Sequence, residues 1–343
     1  MLKSRNYKWT LLILLALACP IISIFFGAAD FSAAQLYQCV VNECDSAINQ
    51  LIFWDIRLPR IVVGFLVGAG LAVAGSTLQN ITRNGLADPY LFGVVAGAGL
   101  GASIATLFFD SQFTSSIGLD FLPEFSFSIA LPLAALLGAI FAVTLVQALA
   151  ATSFGGRGEQ MLLAGVAVSF MLNAMAHFLL FLGEPFAANK VIFWLMGSLA
   201  RVEDWYAWIM LPVVVGCVLL LLLYGRRLDA LLLGDDNAKT LGVNVTRLRM
   251  LSLGICASLT ACIVAYCGGI GFVGLMIPHI VRRWVGVTSR VVTLGCVLLG
   301  GSFMVLVDII ARSALPEQEI PIGIITAAIG SVFFLIVMRQ QKV

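Results

Sequence analysis

The sequence predicts an all-α polytopic membrane protein of about ten transmembrane helices. Composition, the lengths of the apolar runs and the partition of the basic residues all point to this class. Of 343 residues, 61% are hydrophobic and 11% charged, and the mean hydropathy is +1.03. A soluble domain of this size cannot hide that much apolar surface.

A spanning helix needs about 20 mostly apolar residues. Runs near 10–28, 61–80, 91–108, 128–150, 160–182, 205–224, 248–267, 270–286, 291–311 and 321–338 meet or approach that length, the eighth being short and Gly-rich. With the N-terminus inside, 15 of the 20 Lys and Arg fall on the cytoplasmic side, and only Arg57, Arg60, Lys190, Arg201 and Arg312 fall outside. The acids divide the other way, 13 of 18 outside. This positive-inside bias supports an even number of spans, with both termini cytoplasmic in a bacterial inner membrane. The whole of residues 1–343 reads as one transmembrane domain.

The first run follows Lys3, Arg5 and Lys8 and passes through Ala16-Leu17-Ala18-Cys19-Pro20, which resembles a signal peptide with a lipoprotein-like cysteine. The apolar character continues to Phe26, so an uncleaved first helix is expected. In the outer loop that follows, Cys39 and Cys44 read equally as an oxidised pair or as two thiols. The other six cysteines lie in apolar runs and read as small packing residues. Many of the 33 glycines have the same use, letting helix backbones approach in lipid. Gly64 and Gly68 form a GxxxG, and Gly93, Gly97 and Gly101 line a second face.

The polar segments between the runs are more specific. Trp54-Asp55-Ile56-Arg57-Leu58-Pro59-Arg60 precedes the second helix, and Gln79-Asn80-Ile81-Thr82-Arg83-Asn84-Gly85-Leu86-Ala87-Asp88-Pro89 follows it. Gly271-Phe272-Val273-Gly274-Leu275-Met276-Ile277-Pro278-His279-Ile280-Val281-Arg282 comes late, with Trp194–Leu199, Leu232–Gly242, Asp308–Arg312 and Glu319–Gly323 as further segments. Together, and in this order, they resemble the permease family that serves ferric siderophore, haem and vitamin B12 ABC importers. Gly85, the turn Gly286–Arg290 and Ser331-Val332 depart from the family's usual residues without disturbing the order.

The resemblance implies a type II ABC importer permease fold, in a subunit that pairs with a second copy or a close homologue, with two cytoplasmic ATPase subunits and with a periplasmic substrate-binding protein. No G-x-x-x-x-G-K-[ST] phosphate loop occurs in the sequence. The expectation is therefore a transport subunit without an ATPase site or cofactor of its own, ATP being used by its partners, and no nucleic acid is expected. A ferric siderophore is the cargo expected, with haem or vitamin B12 as alternatives. An ion-gradient-driven secondary transporter would need coupling groups in the membrane, for which Asp308 and His177 are nearly the only candidates.

The resemblance also implies site residues. The cytoplasmic connection 225–249 is the expected ATPase coupling element. Leu228 to Leu233 would form one short helix, and Gly234 would break it. Asp235 or Asp236 would cap a second helix, carrying Ala238 and Leu241, that Gly242 ends. By its residues alone the segment reads equally as an ordinary amphipathic connector. Outside, Arg57, Arg60 and Arg312 are expected to receive acidic residues of the binding protein, because a guanidinium pairs bidentately and stays charged. The competing account pairs Asp308 with Arg312 across one helical turn and Asp55 with Arg57.

Ser169, Asn173 and His177 recur every four residues and so share one helix face, a candidate for the pathway or for interhelical hydrogen bonds. The loop Thr152–Gln160, with Gly156, Gly158 and Glu159, is the candidate cytoplasmic gate, and Trp194–Leu199 the candidate outer helix lining the entrance. His279 is expected to be structural. The only other histidine is His177, and neither belongs to a ligand cluster in the sequence.

Overall fold

The computed structural model describes residues 2–27, 32–41, 44, 46–108, 126–153, 158–183, 185–200, 202–315 and 318–340. Among these residues every regular element is helical. Eight helices are long and apolar enough to cross a bilayer. Two predicted runs are shorter. Residues 91–108 give the 15-residue helix Val94–Phe108, and residues 270–286 give the 12-residue helix Val273–Trp284. In the second case the reason is local: Gly268 (φ 72°) and Phe272 (φ 69°) hold the backbone in the left-handed region, so the helix starts only at Val273.

Two compact units make up the chain. The first comprises Met1–Ser76, Ser198–Gly225 and Gly271–Val343, the second Thr77–Gly197 and Arg226–Ile270. Two helices run from one unit into the other, α4 (Leu58–Thr82) and α9 (Asp204–Leu232).

In the first unit α1 (Leu2–Phe25) carries Pro20 within the helix and packs on α13 (Ser289–Ser313). The outer loop holds two short helices, α2 (Ala33–Val40) and α3 (Ala47–Leu51). Ser32 and Gln35 form a capping box on α2, and Ser46 caps α3. Cys39 and Cys44 are joined in a disulfide, and Cys39 packs with Phe53. A single π-helical segment, Ile52–Arg57, then leads into α4 and aims Phe53 and Arg57 inward. The central stretch of α4, from Ile61 to Gly75, is apolar on all sides and correspondingly buried. It meets α13 where a Cβ on Gly68 would lie 2.0 Å from the Gly300 carbonyl. α12 (Val273–Trp284) and α14 (Ile322–Gln340) complete the unit, and Phe272 packs on Gly330 and Phe334.

In the second unit Asp88 caps the short 3-10 turn Pro89–Phe92, accepting from the Tyr90 amide at 2.8 Å, and Gly93 ends the turn at φ 78°. α5 (Val94–Phe108) packs tightly along α6 (Ser126–Ser153). Cβ atoms on Gly97 and Gly101 would lie 2.2 Å and 2.0 Å from the carbonyls of Gly138 and Ala134. The small-residue faces thus serve packing within this chain. Beside them lie α7 (Gly158–Leu182), α8 (Pro185–Leu195) and α11 (Val245–Cys267), with Trp194, Ala257 and Ala261 in one apolar core.

The short helix after α7 is Pro185–Leu195, a correction to the expected Trp194–Leu199. Gly197 adopts φ 73° against the Gly269 carbonyl, so the chain turns there and Trp194 falls in the last turn of α8.

Candidate functional site

Two charge clusters, one in each unit, organise the residues singled out by the sequence. In the first unit Arg60 sits in the opening turn of α4, with its side chain only 9% exposed. Nε and Nη2 donate to the Asp308 carboxylate at 2.8–3.2 Å, and Nη1 and Nη2 donate to the two Glu319 oxygens at 2.8 Å each. One guanidinium therefore holds two carboxylates, the second of them bidentately.

Arg312, four residues after Asp308 on α13, lies 3.4 Å from its Oδ2 and donates to the Ser23 carbonyl at 2.8 Å and to the Ser23 hydroxyl. Its Nε is an ion-pair neighbour of Asp308 without hydrogen-bond geometry. Arg57 is buried and donates to the Ile24 carbonyl at the end of α1. The structure thus brings Arg60 and Arg312 together around Asp308 and turns all three arginines inward. Glu319 is the most exposed carboxylate of the group, its side chain 39% exposed. Charges buried this deeply persist because each is paired and hydrogen-bonded.

The second cluster belongs to the predicted coupling segment. α9 runs unbroken to Leu232, so the expected separate helix over 228–233 is the end of a long one. Leu228 and Leu231, three residues apart and both buried, keep its register. Gly234 (φ 106°) makes the turn, and Asp235–Thr240 forms α10, which Gly242 (φ 79°) follows. The cap is Gly234, without a side-chain bond, and the Asp235 carboxylate is used otherwise.

Asp235 receives Arg249 Nη1 on Oδ2 at 2.9 Å and Nη2 on Oδ1 at 2.8 Å, and Arg83 Nη2 on Oδ1 at 2.9 Å. Hydrogen bonding to Arg249 holds its carboxyl below the ordinary range, reinforced by the charges of Arg249, Arg83 and Lys239. Arg249 Nε donates to the Ile81 carbonyl, in the last turn of α4, at 3.0 Å. Asp236 pairs with Lys239 at 3.2 Å on the open surface, where an ion pair contributes little. Ala238 is fully buried, whereas Leu232, Leu233 and Leu241 are exposed at 44%, 62% and 63%. Leu232 ends a helix apolar enough to span a membrane, whereas Leu233 and Leu241 lie outside any such helix, where exposed apolar side chains suit a partner surface.

The predicted stripe on α7 divides. Ser169 is half-buried and donates to Gly165 O at 2.7 Å, a bond within its own helix. Asn173 and His177 are exposed between Phe170, Met171, Met175 and Phe178. Gly156 lies outside the described residues, and Gly158 and Glu159 belong to the first turn of α7. His279 packs edge-on against Phe333, and no group of metal-ligating side chains occurs among the described residues.

Sequence reasoning missed Arg83 and Arg249, read only as cytoplasmic charge. Arg249 lies in the second turn of α11, two residues after the exposed Arg247, and only its burial in the structure, at 4% exposure, sets it apart; no sequence signal does.

Comparison with known proteins matches residues 13–340 to the FecCD transport family. The chain is 40% identical over 296 residues to the cobalamin import system permease protein BtuC of Halobacterium salinarum, covering 86% of this chain and 75% of that one. It is 35% identical to the vitamin B12 import system permease protein BtuC of Vibrio cholerae, covering 84% and 83%. A solved structure described as an inward-facing metal-chelate type ABC transporter superposes with a TM-score of 0.83 at 31% identity, covering 98% of this chain and 99% of that one. With eight helices among the described residues long and apolar enough to span a membrane, several motifs in family order and these matches along nearly its whole length, the chain belongs to the FecCD transport family and is a multi-pass permease of the type II ABC importer class.

Proposed function

We propose that this permease carries cobalamin or a closely similar corrinoid across the cytoplasmic membrane. The observation that carries the cargo assignment is the identity of 40% and 35% to two permeases named for cobalamin and vitamin B12 import. A ferric siderophore, the cargo expected as the largest group this family serves, is the second reading. The metal-chelate description of the structural relative favours either cargo.

In this reading two copies, or one copy and a close homologue, enclose the pathway in the bacterial inner membrane, with both termini cytoplasmic, which the positive-inside bias of the basic residues supports. The exposed Asn173 and His177 on α7 are the polar groups proposed to face the pathway. Loop 152–160, with Gly156, Gly158 and Glu159, is proposed as its cytoplasmic gate. ATP is bound and hydrolysed by two partner subunits that seat on the α10 segment through Leu232, Leu233 and Leu241, which are exposed there. A periplasmic binding protein delivers the cargo to the face near Arg57, Arg60 and Arg312. Docking on Arg60 requires Glu319, the partner most open to solvent, to give way to the protein's own carboxylate.

The test is uptake of labelled cobalamin, ferric siderophores and haem in cells lacking the chain, with and without its return on a plasmid. Loss and rescue of cobalamin alone is expected. Loss and rescue of a siderophore alone would replace the cargo and keep the machine.

A further inference from the structure

We infer that Arg249 is the positioning residue that passes movement of the α10 segment into the membrane helices, an inference that rests on reading this segment as the ATPase coupling element. The covalent routes out of α10 are soft. On one side it is joined to α9 through Gly234 at φ 106°, on the other to α11 through Gly242 at φ 79°. Glycine at such angles is the residue most free to swivel, so displacement of a six-residue helix would be absorbed at both ends.

Arg249 offers a stiffer route. Its side chain, 5% exposed, is carried by the second turn of α11. Two parallel bonds of 2.8 and 2.9 Å grip the Asp235 carboxylate, and Nε donates to Ile81 O at 3.0 Å. The last carbonyls of a helix have no partner within it, and a cation there also meets the negative end of the helix dipole. One planar group thus ties α10, α11 and the end of α4 together. Arg83 touches the same carboxylate from the surface, 43% exposed, and its φ of 52° places it in the turn that leaves α4. The fork geometry requires a guanidinium: the three donors of an ammonium radiate from one nitrogen, so it cannot span both Asp235 oxygens in parallel and also reach the Ile81 carbonyl.

The experiment uses the complete complex, permease with its ATPase subunits, reconstituted in proteoliposomes with binding protein and labelled cobalamin. Co-purification of the ATPase and cargo moved per ATP hydrolysed are both recorded. For Arg249→Lys, the ATPase is expected to co-purify as with the unaltered chain, while cargo per ATP falls roughly tenfold. Arg83→Lys is expected to stay within about twofold.

Cargo per ATP unchanged in Arg249→Lys overturns the inference, and so does an equal loss in Arg83→Lys, which would make local charge and not the three-way tie responsible. If Arg249→Lys fails to accumulate folded, Asp235→Glu carries the same expectation, because its extra methylene displaces the fork while keeping the charge. The coupling reading fails separately, and visibly, if Leu233→Asp and Leu241→Asp together leave ATPase co-purification intact.

Discussion

Replacing Asp308 by Asn tests whether the outer cluster holds the first unit together. The carboxylate is 3% exposed and compensates two guanidiniums, Arg60 through bonds of 2.8–3.2 Å and Arg312 at 3.4 Å. Removing one member of a buried ion pair typically costs 3–5 kcal/mol, most of it the penalty of stranding the other charge. Here Arg60 keeps both bonds to Glu319, so the cost should fall at the lower end, about 3 kcal/mol.

Glu319→Gln removes a carboxylate that is 39% exposed, and solvent screening limits its effect to about 1 kcal/mol or less. The two variants should therefore separate clearly in a thermal unfolding series of the purified permease, followed by fluorescence-detected size exclusion. Asp308→Asn should lower the midpoint by roughly 5–10 °C, and Glu319→Gln should scarcely move it. Adding Arg60→Met to Asp308→Asn should recover part of the loss, since it removes the guanidinium that the single variant strands at a buried site. A Glu319→Gln effect equal to that of Asp308→Asn, or no recovery in the double variant, would refute the assignment of buried and exposed roles.

Gly97→Ala places a methyl 2.2 Å from the Gly138 carbonyl and should cost about 1–3 kcal/mol. Gly216→Ala meets nothing within 4 Å and should be neutral or slightly stabilising, as the yield of folded protein will report. Asp88, outside the spanning helices, is pushed up to about 6 by burial against a single hydrogen bond from the Tyr90 amide. An acid whose folded value is raised binds more protons folded than unfolded, so stability falls as pH rises from about 4 through 6. Asp88→Asn keeps the cap and should stabilise at pH 7–8 by up to about 3 kcal/mol, the gain vanishing near pH 4. A midpoint difference independent of pH would contradict this. Asn173→Ala with His177→Ala should leave the unfolding midpoint within about 2 °C, because both side chains are exposed, while cobalamin uptake falls. Unchanged uptake would remove both residues from the pathway.

Fold class was legible because hydropathy is a sum over many residues, and the boundaries of the long helices follow from it. The exceptions lie where a single backbone angle decides. Phe272 at φ 69° delays the start of α12 within an apolar run, and nothing in its side chain announces that conformation. Continuity of α9 to Leu232 was likewise hidden, since Gly225 looks like a helix breaker. In the structure its bare Cα admits Arg290, whose Cγ would lie 2.6 Å from an added Cβ.

The candidate site was legible in its residue types and only partly in its partners. Asp308 and Arg312 share a helix and their pairing is readable at four-residue spacing. Arg60 with Glu319, 259 positions apart, and Asp235 with Arg249 across the Gly242 turn are long-range or turn-dependent contacts that no periodicity encodes.

The carbonyl-to-glycine contacts between α5 and α6 restrict which parts of the second unit can slide. Each backbone occupies the space where the other's side chains would stand, at Gly97 against Gly138 and at Gly101 against Ala134. Two helices meshed at that depth can tilt only as a single body, because separating them by even one methyl's width would forfeit contacts along the whole seam. A mutational screen for transport would score these glycines as severely as residues that touch cargo. Defects at Gly97 and Gly101 should therefore be sorted by folded yield before any is assigned to the route that cargo takes.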